Sequence, residues 1–296
     1  MCLAILAGIF ESLSEPASST SKSSTPARLP SQFLCCVRSE ASASRIEKTL
    51  AQYKQDVKVV RNDNVAACKA ADVILLGCKP YMVNDILAVD GMQEALKGKL
   101  LISVCAGVPV EQMEMALYGG PSEEDPEQSG RCRLVRVLPN TAGAVRQSMS
   151  VIATSAPPLP TESADLITWM FECIGEVIYL APNMMDISTA LAGSAGSFFS
   201  LILEAATDGA VAMGMPRVDA LKIATQAMRG VTGLVQNGEH PAVLREKASS
   251  PGGCTIAGLL VLEEAGTRGH IAKAVREATS VASLLGEGRK NVNGTR

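Results

Sequence analysis

The sequence predicts an α/β domain built on a mostly parallel sheet, followed by an all-α domain, and three observations carry that prediction. Short runs such as Asp72–Cys78 and Leu100–Cys105 are almost wholly apolar and alternate with helical stretches as far as residue 180. Strands buried on both faces belong to parallel sheets covered by helices. Beyond Met184 the strand-like runs cease and Ala/Gly-rich helical sequence takes over. Aromatics supply only 3% of the 296 residues while hydrophobic residues supply 47%. Packing must therefore rest on aliphatic and small side chains, with helices approaching closely.

In chain order, residues 1–13 carry a helical apolar pattern (Leu3, Ile5, Leu6, Ile9, Phe10, Leu13), and Ser14–Pro30 is Ser, Thr and Pro-rich loop sequence. Phe33–Val37 reads as a short buried strand, Ala41–Leu50 as a helix, Val57–Val60 as a strand and Asn64–Ala70 as a short helix. The strand at Asp72–Cys78 is stopped by Lys79-Pro80; one helix over Val83–Leu96 then leads to the strand at Leu100–Cys105. Residues 119–130, with Glu123-Glu-Asp125, read as a solvated insertion. Arg133–Leu138 and Ser150–Ala153 are further strands, with Pro139-Asn-Thr141 at the carboxyl end of the first, and Glu176–Tyr179 is the last extended stretch. Helices over 185–213, 217–236 and 255–285 are interrupted only by Gly214-Met-Pro216 and by Asn237–Gly253. The domains are thus 1–180 and 181–288, with a tail at 289–296.

Composition excludes several function classes. The net charge is −3 with no basic patch, which argues against nucleic acid. No apolar run reads as long enough to span a membrane. The apolar start lacks the basic flank of a secretion signal. Nine cysteines include no CxxC pair and only His240 and His270 are present, so no metal site is expected. The cysteines read as reduced. A reducing compartment and the absence of a readable address make the cytoplasm the expected location.

Sheets of this kind bind ligands beyond the carboxyl ends of their strands. The dinucleotide fingerprint GxGxxG is absent from the sequence. Arg38 and Ser39 follow the strand at 33–37; Arg there suits a 2′-phosphate where an acidic side chain would suit a ribose hydroxyl. An ordinary exposed Arg fits equally well. Gly77-Cys-Lys-Pro80 and Val104-Cys-Ala-Gly107 end adjacent strands with small residues, leaving room for a ribose or nicotinamide, although plain turns look the same. Ser249-Ser-Pro-Gly-Gly-Cys-Thr255 opens an apolar helix. Free N–H groups at such a start, with glycine allowing close approach, suit a carboxylate. A simple Pro-Gly turn and N-cap has the same composition.

The stretch Leu244-Arg-Glu-Lys-Ala-Ser-Ser-Pro-Gly-Gly-Cys-Thr-Ile-Ala-Gly-Leu-Leu-Val-Leu-Glu263 resembles the signature of the pyrroline-5-carboxylate reductases. Ala71–Pro80, Leu101–Val108, Arg136–Thr141, Ala190–Gly196 and Glu204–Pro216 resemble that family's other blocks in the same order. The resemblance implies a Rossmann-like first domain and a helical domain that interlocks homodimers, often into larger rings. It implies reduction of 1-pyrroline-5-carboxylate to proline with NADPH, or NADH. By similarity Ser250, Gly253, Cys254 and Thr255 hold the substrate carboxylate, chiefly through backbone N–H groups, with Thr255 the candidate for steadying the ring nitrogen or the carboxylate. Asn64, Gly77, Cys78, Lys79, Pro80, Cys105 and Ala106 line the cofactor, with Arg38 and Ser39 near its 2′-phosphate. No Asp, Glu or His acid is expected, since the imine is readily protonated.

The sequence departs from the family pattern in two places. Relatives begin with a strand and a GxGxM-type turn; Met1 aligns with the Met of that turn, so the chain reads as N-terminally truncated. Loss of that central strand is expected to leave unpaired strand edges. Gly196-Ser197 stands where many relatives have Gly-Pro-Ala. The rival readings are a cofactor-impaired, non-catalytic paralogue serving as an oligomer partner, and a β-hydroxy-acid reductase. The latter relies on a Lys acid/base in its helical domain, whereas the motif at 249–255 points elsewhere.

Overall fold

The computed structural model describes residues 1–15, 26–53, 57–122, 124–286 and 292. Residues 16–25 of the expected loop, Glu123 of the insertion and all of the expected tail except Val292 lie outside them. Two compact units are present: Met1–Gly193 with Thr279–Arg296, and Ser194–Ala278.

The first unit opens with α1 (Cys2–Ser14), which buries Ile5, Ile9 and Phe10 along one face. Strand β1 (Phe33–Val37) pairs in parallel with β2 (Val57–Arg61), Phe33 opposite Val57. Between them runs α2 (Glu40–Leu50), whose N-cap is Ser39. The Ser39 Oγ accepts from the Ser42 N–H at 3.2 Å, satisfying one of the orphan donors of the first turn. Helix α3 (Asn64–Ala70) is capped in the same way by Asp63, which accepts from the Ala66 N–H at 3.1 Å.

A second sheet contains, in spatial order, β3 (Val73–Leu76), β4 (Leu100–Ser103), β5 (Arg133–Leu138), β6 (Ser148–Ala153) and β7 (Gly175–Leu180). All its pairings are parallel except β5 with β6. The strands thus form two sheets, and β1 and β3 are edges among the described residues, unpaired edges of the kind expected where the central strand is missing. One apolar core nevertheless serves both. Ile5, Ile9 and Phe10 of α1 join Phe33 and Cys35 of β1 and Leu100, Ile102 and Val135 of the second sheet. The Phe10 ring meets Phe33 edge-on at 4.6 Å, a favoured aromatic geometry.

The expected helix over 83–96 is broken into α4 (Val83–Leu87) and α5 (Met92–Leu96). Gly91 stands between them with φ +83°, a left-handed position that suits glycine. Three helices were not legible from periodicity: α6 (Val110–Tyr118), α7 (Pro126–Ser129) and α8 (Thr161–Glu172); the expected helix over 185–213 begins with α9 (Met185–Ser188), which runs into a π-helical turn over Thr189–Ser194. Of these, α8 matters most to the core, because Ile167, Trp169, Met170 and Phe171 belong to it. The insertion is partly solvated, but Arg133 pairs with Asp125 at 3.1 Å and the Arg131 guanidinium lies over the Tyr118 ring.

The second unit holds α10 (Ala195–Ala212), α11 (Arg217–Gln236), α12 (Pro241–Lys247), α13 (Cys254–Glu264) and the first part of α14 (Thr267–Gly286). Helices α10 and α11 pack together, and Arg217 bonds Asp208 at 2.7 Å across their connection. The expected interruption at 237–253 contains α12, capped by His240, whose Nδ1 accepts from the Ala242 N–H at 3.2 Å. The expected helix over 255–285 breaks at Gly266, φ +67°. Contrary to expectation, the segment Pro182–Ala212 is long and apolar enough, by length and composition, to cross a membrane.

Candidate functional site

Two groups of residues answer to the sequence reading, one in each unit. In the first, Arg38 and Ser39 follow the carboxyl end of β1 and both are exposed. Ser39 also caps α2, so its hydroxyl has a structural task already. Neighbouring Glu40 pairs with Arg61 at the end of β2. Among the described residues Arg38 makes no ion pair, which leaves its guanidinium for an external anion. Asn64 begins α3, and its Oδ1 accepts from the Cys36 thiol at 2.9 Å. Burial pushes the Cys36 thiol up, so it stays a protonated donor to that amide.

At the carboxyl ends of β3 and β4 the register pairs Leu76 with Ser103. Continued two residues further, the same offset sets Cys78 opposite Cys105. Their sulfurs lie 3.9 Å apart. Cys105 is buried, and its backbone N–H donates to the Ser103 Oγ at 3.3 Å. Its thiol donates to the carbonyls of Leu76 at 3.5 Å and Cys78 at 3.4 Å. Lys79 is exposed and precedes a short 3₁₀ turn at Pro80–Met82, and Ala106 lies in the turn after β4. Gly77 has a plain packing reason: a Cβ there would collide with the Cys2 sulfur of α1. Cys2 is thus a neighbour of this crevice that sequence reasoning missed. The one available signal was its place beside the apolar stripe of α1.

The Pro139-Asn-Thr141 block has a structural task. The Asn140 side chain accepts from the Ala142 N–H and donates to the Ala192 carbonyl, each at 3.0 Å. It ties the end of β5 to the π-helical turn. Arg136, in the same block, is buried beside Asp186 at 3.8 Å, and burial pulls its pKa down.

In the second unit, Gly253 is the N-cap of α13 and supplies no capping side chain. The first-turn N–H groups of this 11-residue helix therefore have no side-chain cap. Gly252 has φ +69°, and a Cβ on Gly253 would stand 2.6 Å from the Ser250 Oγ. Both glycines are required by the turn: one by conformation, one by the close approach of Ser250. Ser250, Cys254 and Thr255 are exposed around this opening. The arrangement places hydroxyls beside uncapped N–H groups at the positive end of a helix, a setting for a small carboxylate.

The residues present fit a nicotinamide dinucleotide in donor chemistry: a guanidinium with an adjacent hydroxyl for phosphate, and small strand-end residues for close approach. Among the described residues no cluster of His, Cys, Asp or Glu could hold a metal ion.

Comparison with known proteins places these features. A family described as "Pyrroline-5-carboxylate reductase dimerisation" matches residues 182–285, which takes in most of the exposed apolar helices and the long apolar segment. A family described as "NADP oxidoreductase coenzyme F420-dependent" matches residues 15–107. A pyrroline-5-carboxylate reductase of Lophium arboricola is 56% identical, over 100% of this chain and 93% of its own length. One of Neurospora crassa is 50% identical, again over 100% and 93%. In fold, the chain is similar to Plasmodium falciparum pyrroline carboxylate reductase with NADP bound, at TM-score 0.74 and 21% identity over 96% of this chain and 93% of that one.

Proposed function

The chain belongs to the pyrroline-5-carboxylate reductase family, and from that premise we propose that it reduces 1-pyrroline-5-carboxylate to L-proline, the last step of proline biosynthesis. It is a nicotinamide-dependent oxidoreductase, and the cofactor supplies hydride when bound. The carrying observation is the glycine-opened, uncapped start of α13 in a chain that matches such reductases along its whole length.

The division of labour follows from the residues. Ser250 and Thr255, with the N–H groups after Gly253 and at Cys254, hold the substrate carboxylate at the helix start. Thr255 also steadies the ring nitrogen. The imine takes its proton without a dedicated acid, so the protein's contribution is to bring the C=N carbon to the donor and hold it there. Asn64, Lys79, Pro80, Ala106 and the strand ends at Gly77, Cys78 and Cys105 line the cofactor. Arg38 with Ser39 takes a 2′-phosphate, which favours NADPH over NADH.

The working form is a homodimer joined through the C-terminal helices. The compartment is the cytosol, a reading supported by nine cysteines all free. The match to reductases along the whole chain favours catalysis over the rival reading of a non-catalytic oligomer partner. The test is isotopic. Incubation with 1-pyrroline-5-carboxylate and NADPH deuterated at the transferable position should give proline carrying one deuterium, at the former imine carbon. Unlabelled proline or none, with the chain folded, would sink the reading.

A further inference from the structure

We propose that Cys78 and Cys105 are a peroxide-sensitive thiol pair whose disulfide closes the strand-end crevice to the nicotinamide cofactor. The inference rests on the cofactor reading above for its consequence, but its chemistry stands on the thiols alone. The two residues are opposite one another in the extended register of β3 and β4. Neighbouring strands lie about 4.8 Å apart, inside the Cα separation of about 4.4–6.8 Å that a disulfide spans. The sulfurs already stand at 3.9 Å, so side-chain rotation with small backbone adjustment brings them to bonding distance.

Access and protonation give the two sulfurs different parts in the reaction. Cys78 is partly exposed and Cys105 is buried, so a small oxidant reaches the Cys78 sulfur and Cys105 is held ready to resolve it. The hydrogen bond between them is the first cause of opposite shifts: it draws Cys105 down and pushes Cys78 up, burial adding to the rise at Cys78 and opposing the fall at Cys105. Cys105 is therefore the sulfur that gives up its proton first, which suits it to attack an oxidised Cys78 rather than to meet the oxidant itself. The other cysteine near this crevice, Cys2, is pushed up by burial and packs against Gly77.

The step balances. Hydrogen peroxide oxidises one thiol to a sulfenic acid and releases one water. The second thiol attacks that sulfur, the S–O bond breaks, the S–S bond forms and a second water leaves. The two thiols give up two electrons and two protons, and the peroxide is reduced to two waters. A dithiol reductant reverses the bond.

The experiment treats the full chain with hydrogen peroxide, digests it without reduction and maps cross-linked peptides by mass spectrometry. NADPH affinity is followed in parallel by fluorescence titration. The expected result is a Cys78–Cys105 link, NADPH binding about tenfold weaker or worse, and recovery of both with dithiothreitol. Cys78→Ser, and independently Cys105→Ser, should lose the link and keep whatever NADPH affinity each has through the same treatment. A link from Cys2 to either residue instead, or no link, overturns the proposal. A Cys78–Cys105 link with unchanged NADPH affinity overturns the gating. If the reduced wild-type chain binds no NADPH, the cofactor reading fails, while the peptide map still decides the thiol pair.

Discussion

Helix α8 and the more apolar helix α13 do opposite things with their apolar side chains. In α8, Ile167, Trp169, Met170 and Phe171 are all buried in the core of the first unit. In α13 no residue is buried, and Leu260, Val261 and Leu262 are 57%, 65% and 52% exposed. The contrast extends to the units that contain them. Across Ser194–Ala278 only Ala195, Thr207 and Ala220 are buried. So many exposed apolar side chains on one set of helices mark an interaction surface rather than an ordinary monomer face. One region thus closes its core within the chain, and the other leaves apolar helix faces exposed, in keeping with the dimerisation family it matches.

The sharpest way to break this comparison is Leu260→Asp. A carboxylate buried without a partner in a symmetric interface costs about 3–5 kcal/mol from each copy. Size-exclusion chromatography with light scattering should show dissociated chains, and turnover should fall to background. Next in size is Phe171→Ala on the other side of the comparison. Loss of about 3–5 kcal/mol should lower the denaturant midpoint with the oligomer mass unchanged. A change of mass there, or none at Leu260, would erase the distinction.

Smaller effects sharpen the division of labour between the units. Ser250→Ala and Thr255→Ala each remove one hydrogen bond, about 1–1.5 kcal/mol, and each should raise the KM for the imine acid about tenfold with the KM for NADPH unmoved. Arg38→Ser should be smallest. An exposed ion pair is worth about 1 kcal/mol or less, so the preference for NADPH over NADH should drop by about fivefold at most, read as a ratio of kcat/KM values.

Much of the first unit was legible because its strands are short and apolar on both faces. Asn64–Ala70 and the strands at 33–37 and 57–61 needed nothing beyond local pattern. What escaped was set by tertiary context. The break at Gly91 and that at Gly266 each depend on one left-handed glycine, which looks the same in sequence as a tolerated helical one. The antiparallel β5–β6 pair follows from a turn held by Asn140 and Ser148, the Asn140 N–H bonding the Ser148 Oγ at 3.0 Å; pattern alone cannot set strand direction. At the site, the glycines of 252–253 announced a special turn, and their geometry gives each a reason. The contact of Cys2 with Gly77 and the facing of Cys78 and Cys105 were hidden, since both join residues far apart in the chain.

The measurement that bears most directly on the contrast between the two regions is sedimentation equilibrium of the purified chain, with turnover followed across the same dilution series. The predicted result is a mass of at least twice 30.9 kDa while the enzyme is active, and activity lost in step with dissociation. A fully active species of 30.9 kDa would show that the helical unit needs no second copy and would contradict the account.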